Sequence, residues 1–121
     1  MRASLARIER LTGRLDAAEQ ELDRARATLE AALGKDDPLM AKVLLELANL
    51  YRDQKRFEES EALYEESAAL VVKAVGERHP DLVGVLESRA ELFRAWGREA
   101  EAAVLDERAR QLAEAFGLAP R

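Results

Sequence analysis

The chain repeats part of its pattern at an offset of 42 residues, and this repeat constrains its fold more than any other feature. Residues 34–38 (Gly-Lys-Asp-Asp-Pro) align with residues 76–80 (Gly-Glu-Arg-His-Pro). The same offset carries Arg52 onto Arg94 and, toward the N-terminus, onto Arg10. Periods of about 20–50 residues are typical of proteins built from stacked repeats. We therefore predict a single domain, residues 1–121, made of three units at about 1–34, 35–76 and 77–118.

Each unit has the pattern of two helices joined by a short turn. Alanine, leucine, glutamate and arginine, which favour helices, dominate the sequence. In the second unit Asp37 suits an N-cap, Pro38 suits the first helical position, and Gly76 suits a C-terminal cap in the left-handed region. Gly13 is expected in the turn of the first unit. The predicted helices are residues 2–12, 15–33, 38–54, 57–75, 80–96 and 99–116.

A single hairpin of this size cannot bury its apolar side, whereas several stacked hairpins can bury theirs against one another. We therefore predict an all-α fold in which antiparallel helical hairpins stack as a right-handed α-solenoid. About three repeats, and hence six helices, make up this array. Three repeats is also about the smallest number that gives such an array a stable core.

The second unit resembles the tetratricopeptide repeat, in the longer form found in kinesin light chain. The resemblance is carried by residues 47–51 (Leu-Ala-Asn-Leu-Tyr), by residues 57–64 (Phe-Glu-Glu-Ser-Glu-Ala-Leu-Tyr) and by the linker 75–81. The small residues Ala48 and Ser60 would let the two helices of a hairpin approach closely. The resemblance covers nearly the whole chain, and it implies a helical scaffold that binds other proteins.

The chain departs from this family pattern at several positions. Lys55 stands where the family has a turn glycine, and Glu99 and Asp106 stand where Phe57 and Tyr64 stand one repeat earlier. The paired asparagines of the kinesin light chain groove are also absent. The groove chemistry of kinesin light chain is therefore not transferred to this chain.

The resemblance implies that the first helix of each unit lines a concave groove in which a partner peptide or helix binds. Three of the lining residues, Arg10, Arg52 and Arg94, hold the same position in successive units, and we call them the arginine ladder. A row of guanidinium groups suits the carboxylates of an acidic peptide. The alternative is local pairing, for example of Arg52 with Glu46 or with neighbours on the side of Asn49, and of Arg94 with Glu91 or Glu87. The full set expected to line the groove is Arg7, Arg10, Lys42, Leu45, Glu46, Asn49, Arg52, Asp53, Glu87, Ser88, Glu91 and Arg94.

Composition excludes several kinds of chemistry. The chain has no cysteine and one histidine, so it offers no disulfide, no thiol nucleophile and no cysteine or multi-histidine metal site. A net charge of −5 argues against nucleic acid as a partner. No apolar run is long enough to span a membrane or to form a signal peptide, so a cytoplasmic location is expected. No catalytic motif is present, and we predict a protein that is not an enzyme and needs no cofactor or metal.

The predicted function is a non-catalytic protein–protein interaction module, a scaffold or adaptor that holds a partner peptide or helix in the concave groove. The alternative is a structural module for self-association, either as a homo-oligomer or by stacking on a neighbouring domain. The open ends of a repeat array favour such contacts, since each end presents a surface that another repeat could cover.

Three further features have competing interpretations. Trp96 is predicted to pack against a neighbouring hairpin, with an exposed interface anchor as the alternative. The acidic stretch 58–66 is predicted to be a solvated helix face, with a divalent-metal patch as the alternative. His79, which precedes a proline at a helix start, is predicted to act in the turn or as a cap.

Overall fold

Five helices make up the part of the chain that the structure describes. The computed structural model describes residues 2–76 and 79–117, and it describes side chains from residue 13 onwards. Within these ranges the helices are α1 (Arg2–Leu33), α2 (Pro38–Asp53), α3 (Phe57–Val75), α4 (Asp81–Ala95) and α5 (Glu99–Ala115). None of these five helices is long and apolar enough to cross a membrane.

The helices pack as an array of antiparallel hairpins. Helices α2 and α3 form one hairpin and α4 and α5 form the next, which we call the first and second hairpins. Helix α1 packs against α2, α3 packs against α4, and α2 also contacts α4. This arrangement confirms the predicted all-α stack of helical hairpins. The four helices predicted after residue 35 are found within a residue of their predicted bounds. The division into three units stays a prediction.

The number of helices predicted, six, is wrong, because the first two form the single helix α1. Gly13, expected in a turn, lies inside this helix. A glycine inside a helix costs about 1 kcal/mol relative to alanine, which the strong helix formers on both sides can offset. Gly34, Gly76 and Gly97, in contrast, all have positive φ and follow a helix. A glycine alone is therefore a weaker turn signal than one that also ends an apolar pattern.

Local capping sets the ends of α2 and α3. The carboxylate of Asp37 accepts a hydrogen bond from the backbone N–H of Leu39 at 2.9 Å, and Pro38 begins the helix, as predicted. Gly76 ends α3 with a φ of +92°, which confirms its expected positive φ. Lys55 has a φ of +62° in the turn of the first hairpin, where Gly97 of the second hairpin has a φ of +81°.

The buried residues form two cores: the first lies between α2 and α3 and includes Leu92 of α4, and the second lies between α4 and α5. Leu47 and Tyr64 are fully buried in the first core, and Phe93 is buried in the second. The ring of Trp96 stacks on Phe57, 5.5 Å away, and on Phe93, 6.0 Å away. Trp96 is partly buried and contacts both cores, which confirms the prediction that it packs against a neighbouring hairpin.

Candidate functional site

The first helices of the two hairpins, α2 and α4, lie side by side and form the candidate binding surface, which we call the α2–α4 face. Ten of the twelve predicted groove residues lie on these two helices at spacings of three or four residues, which place them on one side of each helix. The side chains of the other two, Arg7 and Arg10, lie outside the described residues. Five of the ten are exposed and five are partly buried. The exposed ones are Lys42, Glu46, Asp53, Glu91 and Arg94; the partly buried ones are Leu45, Asn49, Arg52, Glu87 and Ser88.

Arg52 joins the two hairpins across this face. Its Nη1 lies 3.2 Å from Oε2 of Glu91 on α4, and it donates to the hydroxyl of Tyr64 at 3.4 Å. Its Nε lies 3.5 Å from a carboxylate oxygen of Asp53. With only 18% of its side chain exposed, Arg52 is held by its own chain rather than extended into solvent.

Arg94 forms a related contact one repeat later. Its Nη1 donates to the carboxylate of Asp106, which is the equivalent of Tyr64 at the 42-residue offset. The guanidinium group thus turns toward the second helix of its own hairpin in both repeats. Arg52 pairs with Glu91 and Asp53, and Arg94 pairs with Asp106, so both guanidinium groups are engaged within the chain.

A buried tyrosine orients Asn49 on the α2–α4 face. The hydroxyl of Tyr64 donates a hydrogen bond to Oδ1 of Asn49. Burial raises the pKa of Tyr64 to about 12, although the nearby Arg52 guanidinium opposes this shift. Tyr64 is therefore a neutral donor at ordinary pH. Among the side chains that the structure describes, Asn49 Nδ2 has no hydrogen-bond partner.

The charge on the α2–α4 face is mixed. Arg52 and Arg94 already contact carboxylates, whereas Lys42 is exposed and forms no ion pair with any side chain that the structure describes. Glu46 and Glu91 lie on the same face. The face is therefore not a continuous basic stripe, and Lys42 is its most available cation.

The acidic stretch 58–66 is engaged in ion pairs. Glu59 pairs with Arg56, which lowers the pKa of the Glu59 carboxyl through their hydrogen bond. Glu61 pairs with Arg89 of α4. Among the residues that the structure describes, no group of three or more acidic or histidine side chains could hold a metal ion.

His79 caps the start of α4. Its Nδ1 accepts a hydrogen bond from the backbone N–H of Asp81 at 3.1 Å, and its carbonyl accepts one from Leu82. These contacts confirm the predicted role of His79 in the turn. The imidazole is thus hydrogen-bonded to the backbone at the start of α4.

Sequence reasoning missed Arg89. Its Nε donates to Glu61 of α3 at 2.9 Å, so the pair joins the two hairpins on the side away from the α2–α4 face. The signal was present in the repeat, because Arg89 aligns with Leu47, which is fully buried. A charged residue at a core position of a repeat indicates a partner that only the folded structure identifies.

The comparisons with known proteins agree with this geometry. The chain matches the model of the tetratricopeptide repeat in two overlapping segments, residues 1–69 and 39–115. A search of curated proteins finds no similar sequence. The two matches together extend from α1 to the end of α5, which includes both hairpins and the α2–α4 face. The chain therefore belongs to the tetratricopeptide repeat family.

Proposed function

We propose that this chain is a non-catalytic module that binds a peptide or helix of a partner protein along the α2–α4 face, which would be the concave side of the array. Tetratricopeptide repeats generally mediate protein–protein interactions. The observation that supports this face is the contact of Arg52 with Glu91, which fixes two first helices side by side while their polar side chains remain accessible.

Preorganised polar groups on this face favour a partner with carboxylates. Lys42 is exposed and without an ion pair among the described side chains, and Asn49 lies about two turns further along the same side of α2. Arg94, with 40% of its side chain exposed, could exchange Asp106 for a carboxylate of the partner. Arg52 holds the two helices in register, so its proposed role is positioning. The arginine ladder thus contributes unequally to binding, and the predicted cytoplasmic location belongs to the same proposal.

A capture experiment tests this proposal. The full chain is immobilised and the bound proteins are quantified by mass spectrometry, using wild type and the double variant Lys42→Glu/Arg94→Glu. Arg110→Glu is the matched control, because Arg110 is similarly exposed but lies on α5. We expect the double variant to capture at least about tenfold less partner than wild type, because both charge reversals fall at the proposed charged contact. Equal capture by wild type and double variant, with helical content unchanged by circular dichroism, would contradict the proposal.

A second candidate function, self-association, has its own supporting observation. Helix directions alternate in the array, so the ends of α1, α3 and α5 lie at the same edge as the starts of α2 and α4. Among the described residues, four exposed large apolar side chains lie at this edge, which we call the apolar edge. Exposed apolar residues gathered in one place favour protein contacts. The four residues are Leu33, Leu39, Val75 and Phe116.

Light scattering of the full chain tests self-association. If the apolar edge joins two copies, wild type forms a dimer at high concentration, and Leu39→Glu/Val75→Glu restores the monomer. Val104→Glu is the matched control, because Val104 is 60% exposed but lies within α5, away from the edge. A wild type that stays monomeric, or a dimer that survives the double variant, would contradict this candidate.

A further inference from the structure

Two clefts lie between alternate helices of the array, one between α1 and α3 and one between α3 and α5, and the 42-residue offset relates them. The first cleft has a volume of about 420 Å³ and lies between α1 and α3, with Met40 and Leu44 of α2 at its base. The second has a volume of about 480 Å³ and lies between α3 and α5, with Leu82 and Leu86 of α4 at its base. Met40 aligns with Leu82 and Leu44 with Leu86, so the clefts have equivalent apolar bases.

The first cleft is bordered by charges that neutralise one another. Arg26 of α1 faces Glu66 of α3 across it at 3.6 Å. Lys73 contacts Asp36 at 3.1 Å at one end of the same cleft. These ion pairs leave the first cleft with no unmatched charge among these four side chains.

The second cleft lacks this cross-cleft pair. At the 42-residue offset, Ala68 replaces Arg26 and Arg108 replaces Glu66. Arg108 is exposed and forms no ion pair with any side chain in residues 13–76 or 79–117. The opposite wall is formed by Ala68 and Val72, which carry no charge. The second cleft therefore combines an apolar base, an apolar wall and an unmatched guanidinium group.

We propose that the second cleft is a docking site for a segment of a partner protein that presents an aliphatic side chain next to a carboxylate. The aliphatic side chain would cover Leu82, Leu86 and Val72, which removes apolar surface from water. The carboxylate would take the place that Glu66 has in the first cleft and pair with Arg108. Charge complementarity selects this occupant, because a basic segment would be repelled by the unmatched cation.

This site is separate from the α2–α4 face. At about 100° per residue, Leu82, Leu86 and Arg89 lie on one side of α4, whereas Glu91 and Arg94 lie on the opposite side. Arg89 also lines the second cleft, but its guanidinium group forms ion pairs with Glu61 and Glu65. The proposal therefore does not depend on the function proposed above, and the two surfaces could be occupied at the same time.

Chemical-shift mapping with designed peptides tests the docking site. The ¹⁵N-labelled full chain is titrated with two capped hexapeptides that differ at one position, one with a central Leu-Glu pair and one with Leu-Lys. We expect the Leu-Glu peptide to bind about tenfold more tightly, with shifts confined to the cleft-lining parts of α3, α4 and α5. Equal binding of the two peptides, no binding of either, or shifts located on the α2–α4 face would overturn the proposal.

Two variants make the test specific to the unmatched charge. Arg108→Ala should remove the preference for Leu-Glu, whereas Arg110→Ala, two residues away and already paired with Glu107, should keep it. Ala68→Glu should abolish binding, because it places a carboxylate opposite Arg108 and restores the cross-cleft pair in reversed order. A preference that survives both Arg108→Ala and Ala68→Glu would overturn the assignment of Arg108, whatever happens at the α2–α4 face.

Discussion

The two hairpins share a backbone plan but differ in the residues that hold their second helices. In α3 of the first hairpin, Tyr64 is fully buried and Ser60 donates to the carbonyl of Ala48 at 2.7 Å. At the same positions in α5, Asp106 is exposed and Ala102 makes no side-chain hydrogen bond. The first hairpin therefore has a buried aromatic ring where the second has a surface ion pair, and a buried hydrogen bond where the second has only a methyl group.

The described surroundings of the two second helices differ as well. Helix α3 has a neighbouring helix on both sides, whereas the outer side of α5 meets no other described helix. That outer side carries a charged network in which Arg110 pairs with Glu107 and Glu114 along one helix. The same hairpin geometry thus accommodates both an apolar second helix and a charged one.

The largest expected effect is the loss of Tyr64. Because the side chain is fully buried, Tyr64→Ala should lower the free energy of unfolding by about 3–5 kcal/mol. Asp106→Ala, the equivalent change in the second hairpin, should cost less than about 1 kcal/mol, since it removes a surface ion pair. Urea unfolding of the two variants measures both values. Similar costs would mean that the hairpins are held in the same way.

Alkaline pH should weaken the first hairpin through Tyr64. The pKa of Tyr64 is raised from 10.0 to about 12 in the folded chain. The stability that the neutral phenol contributes to folding is therefore complete below pH 10, and it is lost as the pH rises through 12. The linked change in stability is up to roughly 2–3 kcal/mol. Absorbance at tyrosinate wavelengths in Tyr51→Phe, which leaves Tyr64 as the remaining tyrosine, measures the titration. A midpoint near 10 while the chain is still folded would contradict this expectation.

Exchanging serine and alanine at the equivalent positions 60 and 102 should make the two hairpins more alike in stability. Ser60→Ala removes a buried hydrogen bond and should cost about 1 kcal/mol. Ala102→Ser gives the second hairpin a hydroxyl near the equivalent carbonyl of Ala90, and it should be within about 1 kcal/mol of neutral. Thermal unfolding of both variants gives the comparison. A cost for Ser60→Ala near zero would show that the hydroxyl adds no stability beyond the packing of alanine.

The smallest expected effect concerns the turns. Lys55→Gly should stabilise the chain by up to about 1 kcal/mol, because glycine adopts a φ of +62° without the steric penalty that a side chain incurs. Gly97→Lys should destabilise the second hairpin by a similar amount. Equilibrium unfolding in guanidinium compares the two changes. Effects of the same sign would indicate that contacts of the lysine side chain, rather than φ, dominate at this position.

Local signals account for what the sequence predicted correctly. Asp37 with Pro38, and Gly76 after an apolar pattern, mark helix ends through contacts within a few residues, so α2 and α3 were found within a residue. The turn predicted at Gly13 was wrong, because a glycine between strong helix formers is compatible with a continuous helix.

Contacts between distant residues were not predictable in the same way. The repeat indicated that Arg52 and Arg94 hold equivalent positions, but their partners depend on which carboxylate the packed helices bring near. Glu91 is 39 residues from Arg52. The offset aligns Asn49 with Glu91 and Tyr64 with Asp106, so equivalent arginines meet different chemistry. Likewise, only the folded structure identifies Arg108 as the charged residue of the second cleft that forms no ion pair with a described side chain.

The ring of Trp96 gives the molecule an internal optical reporter. The chain has one tryptophan, and it lies between Phe57 of the first hairpin and Phe93 of the second, with the guanidinium group of Arg98 3.9 Å from the ring centroid. Any ligand that changes the angle between the hairpins must alter this stack. The intrinsic fluorescence of the unmodified protein should therefore respond to such a change without a label.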